Sequence, residues 1–373
     1  MSSTQAQVME NRNHCFVIAE AGVNHNGDLN IAERLIDIAS EAGADAVKFQ
    51  TFSADDVVAI GTGTVEYQRK NTGEPDQHRL LQMLEFTSDE WEHLSSYCAR
   101  VGIEFMSTAF DMPSFELLQK LGIRRIKIPS GEVTNHPLIR QFCESGLPVI
   151  LSSGMASLDE LSEAAELVRQ VQGKQEPDSP MLTVLQCTSA YPTPTEEANL
   201  TAMHTIADAL DARIGFSDHT TGTLLAPVAV GMGASMIEKH FTLDRSLPGP
   251  DHQASLEPDE LKAMIADIRK VEASLGTGIK EAQPSELETR SLARRGIKVV
   301  RDLQSGQEIT KDDIAILRPE TGLAPKLFDS VIGKRVSQSV PAGKPLDESF
   351  LEICADLLFV ATQILRNVNL EAK

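Results

Sequence analysis

The sequence contains no run of about 18 apolar residues, the length a membrane-spanning helix needs, so no span is expected. Its opening segment, MSSTQAQVMENRNH, lacks the apolar stretch of a secretory signal, and a cytoplasmic protein is expected. Cysteine is sparse and unpatterned. Cys15, Cys98, Cys143, Cys187 and Cys354 are odd in number and show no CxxC spacing. This argues against a zinc ribbon or a disulfide framework and for reduced thiols in a cytoplasm. Positive charge is also short: 34 Lys and Arg against 54 Asp and Glu leave a net charge of −20. A nucleic-acid partner, which requires a basic face, is therefore not expected. An anionic ligand would need local lysines strong enough to overcome the global field.

What is present is a repeating pattern. Short β-branched or apolar runs are each followed at once by polar residues: CFVIAEAG (15–22), AVKFQTF (46–52), IEFMSTAF (103–110), RIKIPSGE (125–132), PVILSSGM (148–155), LTVLQCTSAYP (182–192), RIGFSDH (213–219) and ASMIEKHF (234–241). Near-continuous apolar runs suit strands buried on both faces of a parallel sheet. Helical stretches separate most of them. DLNIAERLIDIASEAG (28–43) opens on Asp28, a good N-cap, and closes on Gly43. Thr87 with Glu90 and Ser157 with Glu160 have capping-box spacing, and Gly122 and Gly146 stand where helices end before the next strand. Eight such alternations within roughly 250 residues predict a (β/α)8 TIM barrel with its chemistry at the C-terminal strand ends. A doubly wound open sheet is the alternative; it would gather the chemistry in one crevice.

The barrel is assigned to 1–275, with a last helix over 257–275. Residues 276–289 read as a linker, 290–350 as a small β-rich domain, and 351–373 as a tail. The small domain carries a weak internal repeat, KVVRDLQSGQEIT (298–310) against RVSQSVPAGKPLD (335–347), each read as a strand, a Gly turn and a second short strand. In the tail, ICADLLFVATQIL (353–365) predicts a short amphipathic helix.

His219 and His240 end adjacent candidate strands. Two imidazoles there can bind a divalent cation, completed by oxygen ligands; the plainer alternative is two hydrogen-bonded histidines. Lys48 and Lys127 stand among apolar neighbours at strand ends, with Thr108, Ser130, Ser152, Ser189 and Ser217 at others. Lysines for charge and hydroxyls for orientation describe a phosphate cradle. The alternative is structural ion pairing with Glu20, Glu132 or Glu238. These acids and Asp251 are candidate bases or sugar-hydroxyl ligands, with roles not separable by composition. NHNG (24–27) has the composition of a common turn and is weak evidence for metal or phosphate.

Taken together, IAEAGVNHNG (18–27), VKFQTF (47–52), YQRKNTGE (67–74), IKIPSGE (126–132), YPTP (191–194), IGFSDHTTG (214–222), IEKHFTLDR (237–245), GPDHQASLEPDEL (249–261) and RPETG (318–322) resemble the N-acetylneuraminate (sialic acid) synthase family from about residue 15 to 350. The resemblance implies a barrel followed by an antifreeze-like (SAF) domain, in a domain-swapped homodimer. It implies Mn2+, with Mg2+ or Co2+ as substitutes, on His219 and His240. Phosphoenolpyruvate would lie on Lys48, Thr108, Lys127, Ser130, Ser152, Ser189 and Ser217. Glu20 would be the catalytic glutamate, and Glu238 would stand by the metal-bound water. Gln50, Glu132, Tyr191, Asp251 and Arg318 would hold an N-acetylmannosamine-type sugar, Arg318 from the second copy's C-terminal domain. Ser189 replaces a position that can be Asn in the family.

The expected reaction is condensation of phosphoenolpyruvate with open-chain N-acetylmannosamine to give N-acetylneuraminate and phosphate. The alternative is a sister enzyme using 2,4-diacetamido-2,4,6-trideoxymannose. A sugar phosphorylated at C6 would require a further basic cluster, which the sequence does not display. A non-catalytic carbohydrate- or ice-binding protein would have no need of the strand-end lysines and histidines. A purely structural barrel is the remaining class.

Overall fold

The computed structural model describes residues 14–173 and 182–352. The expected tail helix and Cys354 lie outside these residues. The chain divides into two compact units, Met1–Thr277 and Gly278–Lys373. No helix among the described residues is long and apolar enough to cross a membrane, and the four described cysteines are free and buried.

In the first unit, eight strands form one parallel sheet: β1 (Phe16–Gly22), β2 (Ala46–Thr51), β3 (Glu104–Ala109), β4 (Ile126–Ile128), β5 (Val149–Ser152), β6 (Leu182–Cys187), β7 (Arg213–Asp218) and β8 (Met236–His240). β1 pairs with both β2 and β8, so the strands follow one another in cyclic order around a nearly closed barrel, not in the order of the open doubly wound alternative. Only β3 and β4 share no ladder. Across that junction Arg125 donates to both carboxylate oxygens of Glu104 at 2.8 and 3.0 Å, with its guanidinium 4.1 Å from the Phe16 ring centre.

Helices follow the strands as α1 (Leu29–Ala42), α2 (Ser88–Val101), α3 (Met112–Lys120), α4 (His136–Cys143), α5 (Leu158–Gln172), α6 (Ala202–Leu210), α7 (Leu225–Gly231) and α8 (Pro258–Leu275). Their ends obey the expected local chemistry. The Asp28 carboxylate accepts from the amides of Asn30 and Ile31, and both capping boxes form.

Side-chain alternation then decides what fills the barrel. One parity of each strand, including Val17, Ala19, Val47, Phe49, Val184 and Phe216, packs outward into the main core against the helices. The other parity points inward. Phe16, Ile18, Ala46, Met106, Ile150, Leu185 and Met236 form a separate apolar plug. Gly215 leaves room for Leu185, whose Cδ2 would lie 2.5 Å from an added Cβ. One step further along each strand, the inward residues turn polar.

Between β2 and α2 the chain makes an excursion with three short helices, Ala54–Val57, Glu66–Thr72 and Gln77–Gln82, which strand periodicity does not foretell.

The second unit holds α9 (Leu287–Ala293) and an antiparallel pair, β9 (Gly296–Val299) and β10 (Ile314–Leu317). α9 runs across residue 290, so the expected linker at 276–289 already contains the start of a helix. The internal repeat folds onto itself. Leu303 and Val340, at matching positions of the two copies, exchange amide–carbonyl bonds of 2.9 Å each. Gly343 N–H donates to Val299 O, and Gly306 N–H donates to Val336 O, both at 2.7 Å. The two copies are thus related by an approximate two-fold axis between Leu303 and Val340. The second short strand of each copy is realised only as isolated bridges.

Candidate active site at the barrel mouth

The polar layer above the plug lines a cavity of about 390 Å³. β1 supplies Glu20, β2 Lys48 and Gln50, β3 Thr108, β4 Lys127, β5 Ser152, β6 Cys187, β7 Ser217, and β8 Glu238 and His240. His219 stands one residue beyond β7, and loops add Ser130, Ser189, Tyr191 and Asp251.

Two lysines and two glutamates are interlocked at the base. Lys48 Nζ lies 2.7 Å from Glu20 Oε2 and 3.5 Å from Glu238 Oε2, and donates to Thr108 Oγ1 at 3.0 Å. Lys127 Nζ lies 3.4 Å from Glu238 Oε1 and donates to Ser152 Oγ at 2.7 Å. Ser217 donates to Glu238 at 2.9 Å, and Gln50 donates to Glu20 at 3.3 Å. The Gly154 amide donates to Ser130 Oγ at 3.0 Å, and a Cβ at Gly154 would run into the hydroxyls of Ser189 and Ser130. The backbone comes this close because no side chain intervenes.

The two acids are driven apart. Burial raises Glu20 to about 7; Lys48 opposes the rise and Glu238 adds to it. For Glu238 burial also favours protonation, but Lys127, Lys48 and the Ser217 hydroxyl outweigh it and hold the carboxyl below its ordinary range. One group therefore titrates near neutrality while the other stays ionised, which is how paired carboxylates divide proton-transfer and electrostatic work.

The imidazoles of His219 and His240 lie 5.5 Å apart, centre to centre. His219 Nδ1 is 2.8 Å from the Thr188 carbonyl, which can only accept, so Nδ1 carries a proton and Nε2 is the nitrogen turned toward the Ser217 hydroxyl at 3.3 Å. Burial favours the neutral ring, but Cys187, the Thr188 carbonyl and Glu238 outweigh it and hold His219 above its ordinary range. His240 Nδ1 is buried without a hydrogen-bond partner, 3.9 Å from Asp251 Oδ2. Burial, then His219 and Lys48, hold His240 well below its ordinary range and hence neutral. Burial raises Asp251 to about 6. No group of three or more His, Cys, Asp or Glu is assembled for a metal among the described residues. A cation here would take two imidazoles from the chain and oxygen ligands from water or substrate. That donor set fits Mn2+ or Mg2+ rather than structural zinc.

Two expected residues stand elsewhere. Glu132 accepts from Asn135 Nδ2 at 2.7 Å, in a 3-10 turn that begins after β4 has ended, and does not line the cavity. Arg318 is exposed in the second unit, where it lines a hollow with Lys298 and Pro319. The family resemblance assigns it to the sugar site of a second copy of the chain.

NHNG acts as a clasp. Asn24 donates to Phe241 O and Ser255 Oγ at 2.8 and 2.9 Å, and Asn26 donates to Pro248 O at 2.8 Å. His25 is fully buried and stacks on Phe86 with centres 4.3 Å apart. The motif ties the β1 loop to the loop that carries Asp251.

The sequence reading gave no role to the excursion after β2. Tyr67 stacks on Tyr191 with centres 5.7 Å apart, and Tyr191 in turn lies 4.3 Å from His219. Val23, Leu80 and Leu84 form a small apolar cluster that lines the same cavity. Gln68 also lines it, with Oε1 buried and unpartnered. The YQRKNTGE motif marked Tyr67 and Gln68; nothing in the sequence placed the two leucines.

An anion cradle, a split pair of acids and a two-histidine corner at the mouth of a TIM barrel define an enzyme for anionic substrates. Residues 35–280 match the NeuB family, and residues 294–352 match the SAF domain. The chain is 47% identical to the N,N'-diacetyllegionaminic acid synthase of Legionella pneumophila, over 89% of this chain and 93% of that one. It is 33% identical to human N-acetylneuraminate-9-phosphate synthase, over 91% and 93% of the two chains. Among solved structures, the N-acetylneuraminic acid (sialic acid) synthetase of Leptospira borgpetersenii is 35% identical with a TM-score of 0.64, covering 74% of this chain and 90% of that one. The chain belongs to the NeuB family. It is a phosphoenolpyruvate-dependent synthase of the sialic-acid type, acting on an amino sugar.

Proposed function

We propose that the chain is an N,N'-diacetyllegionaminate synthase, joining phosphoenolpyruvate to open-chain 2,4-diacetamido-2,4,6-trideoxymannose with water and releasing phosphate. The observation that carries this choice is the apolar wall of Val23, Leu80 and Leu84, each 4 or 5% exposed, on the cavity that must hold the sugar. A C6 methyl and acetamido methyls suit such a wall, whereas a C6 hydroxyl would be left without a partner there. Among the described residues, Lys48 and Lys127 are the only Lys or Arg in the cavity lining, and both are already assigned to phosphoenolpyruvate. The unpartnered Gln68 Oε1 supplies an acceptor for an acetamido N–H. The 47% and 40% identities to legionaminic acid synthases of Legionella pneumophila and Campylobacter jejuni support the same reading.

Lys48 and Lys127 neutralise the phosphoenolpyruvate oxygens, and Thr108, Ser130, Ser152, Ser189 and Ser217 orient them. His219 and His240 would hold Mn2+, which would polarise the sugar aldehyde as a Lewis acid. As C3 of phosphoenolpyruvate bonds to that carbon, positive character grows at C2, where the fixed charge of Glu238 is favourable. The carbonyl π pair of the aldehyde moves to its oxygen. Water adds at C2 as Glu20 takes one of its protons and passes it to that oxygen. The C2–O bond to phosphate breaks as the new C2 hydroxyl gives up its proton to the departing phosphate and becomes the ketone.

Competition decides between sugars. With limiting phosphoenolpyruvate and equimolar N-acetylmannosamine and diacetamido sugar, product mass is expected to be that of diacetyllegionaminate. Predominant N-acetylneuraminate would restore the expectation drawn from the sequence.

A further inference from the structure

Asp218 and Lys239 are register partners on β7 and β8, and each immediately precedes one of the two histidines. Alternation sends them to the face opposite Ser217 and Glu238, away from the cavity. They nevertheless form an ion pair of 2.9 Å with both side chains 0% exposed. A fully buried ion pair is a poor source of stability, because desolvating two charges offsets their attraction. Its surroundings give it another role.

β7 ends at Asp218, and the β7–β8 register also ends at Asp218 and Lys239. His219 therefore stands just beyond the ladder. Thr220, on its other side, is held at both of its backbone polar groups. Asp218 Oδ1 accepts from the Thr220 amide at 2.9 Å and from its hydroxyl at 2.7 Å. Lys239 Nζ donates to the Thr220 carbonyl at 2.5 Å. His240, by contrast, is held within a strand and registers with Glu20 on β1.

We infer that Asp218 and Lys239 are positioning residues that fix the spacing of the two imidazoles, so that a divalent cation meets a preformed pair of ligands. The inference rests on the reading of His219 and His240 as metal ligands. Outer groups that orient metal ligands are typically worth about 10- to 100-fold in affinity.

The test is Mn2+ affinity, read from the EPR signal of free Mn2+ during titration of the full chain without substrates. Asp218→Leu/Lys239→Met is expected to weaken Mn2+ binding by about 10- to 100-fold. Its melting temperature is expected to fall modestly, because the buried Thr220 amide, hydroxyl and carbonyl lose their partners, while a native circular-dichroism spectrum separates positioning from loss of fold. Thr220→Val removes one hydrogen-bonding arm only and is expected to shift affinity in the same direction; it decides the matter if the double variant does not fold. His240→Ala is expected to lose Mn2+ binding. Loss in His240→Ala with wild-type affinity in both other variants would overturn the positioning role alone. Wild-type affinity in His240→Ala would overturn the metal assignment and the inference with it.

Discussion

Lys48 Nζ lies 2.7 Å from Glu20 Oε2, with the two side chains 3% and 2% exposed. Removing Lys48 takes from Glu20 its ion-pair partner in a medium that solvates charge poorly, whereas removing Glu20 leaves Lys48 paired with Glu238 at 3.5 Å. Lys48→Met is expected to destabilise the fold by about 3–5 kcal/mol in urea melts. Glu20→Gln/Lys48→Met is expected to recover most of that loss while remaining inactive. Equal stabilities for single and double variants would show that the pair is not coupled.

Phosphoenolpyruvate binding is expected to take up protons near pH 7. The arriving anion engages Lys48, so Glu20, already raised to about 7, rises further and gains a larger share of a proton. Calorimetry in buffers of different ionisation enthalpy reads that uptake. It should vanish in Glu20→Gln, and a buffer-independent enthalpy in the wild type would contradict it.

Asp251 makes a second pH dependence. Its folded-state value of about 6 lies above the ordinary 3.8, so the folded chain holds more protons between those values than the unfolded chain. Stability of the metal-free protein therefore falls as pH rises from about 4 through about 6. Asp251→Asn is expected to raise stability at pH 7 by about 1–3 kcal/mol and to impair sugar-dependent turnover. A lower melting temperature in this variant would show that the buried carboxylate is stabilising.

The apolar wall predicts a change in selectivity. Leu84→Ser is expected to cost the trideoxy sugar about 1–3 kcal/mol in kcat/KM, with little change for a sugar bearing a C6 hydroxyl. Gln68→Leu is expected to lower kcat/KM for the diacetamido sugar more than for the mono-acetamido one. Parallel losses for both sugars in both variants would remove these residues from sugar discrimination.

The barrel was legible because its strands are short apolar runs whose polar ends recur eight times, and because capping residues such as Asp28, Thr87 and Ser157 act locally. The base of the site was legible for a related reason: alternation along a strand carries Glu20, Lys48, Ser217 and Glu238 to one face. Glu132 fails that logic, since β4 stops at Ile128 and a 3-10 turn resets the direction of its side chain. Leu80 and Leu84 were not legible, because only tertiary folding of the excursion after β2 brings them to the cavity. Asp218 and Lys239 were visible as charges beside the histidines, but the outward parity that buries them as a pair required the register of β7 on β8.

The most direct test is phosphate release from phosphoenolpyruvate by the EDTA-stripped protein, with Mn2+ and the diacetamido sugar added separately and together. Release only when both are present, abolished in Glu20→Gln, is the predicted result. Release that proceeds without sugar, or at the wild-type rate in Glu20→Gln, would contradict a condensation carried out at the barrel mouth.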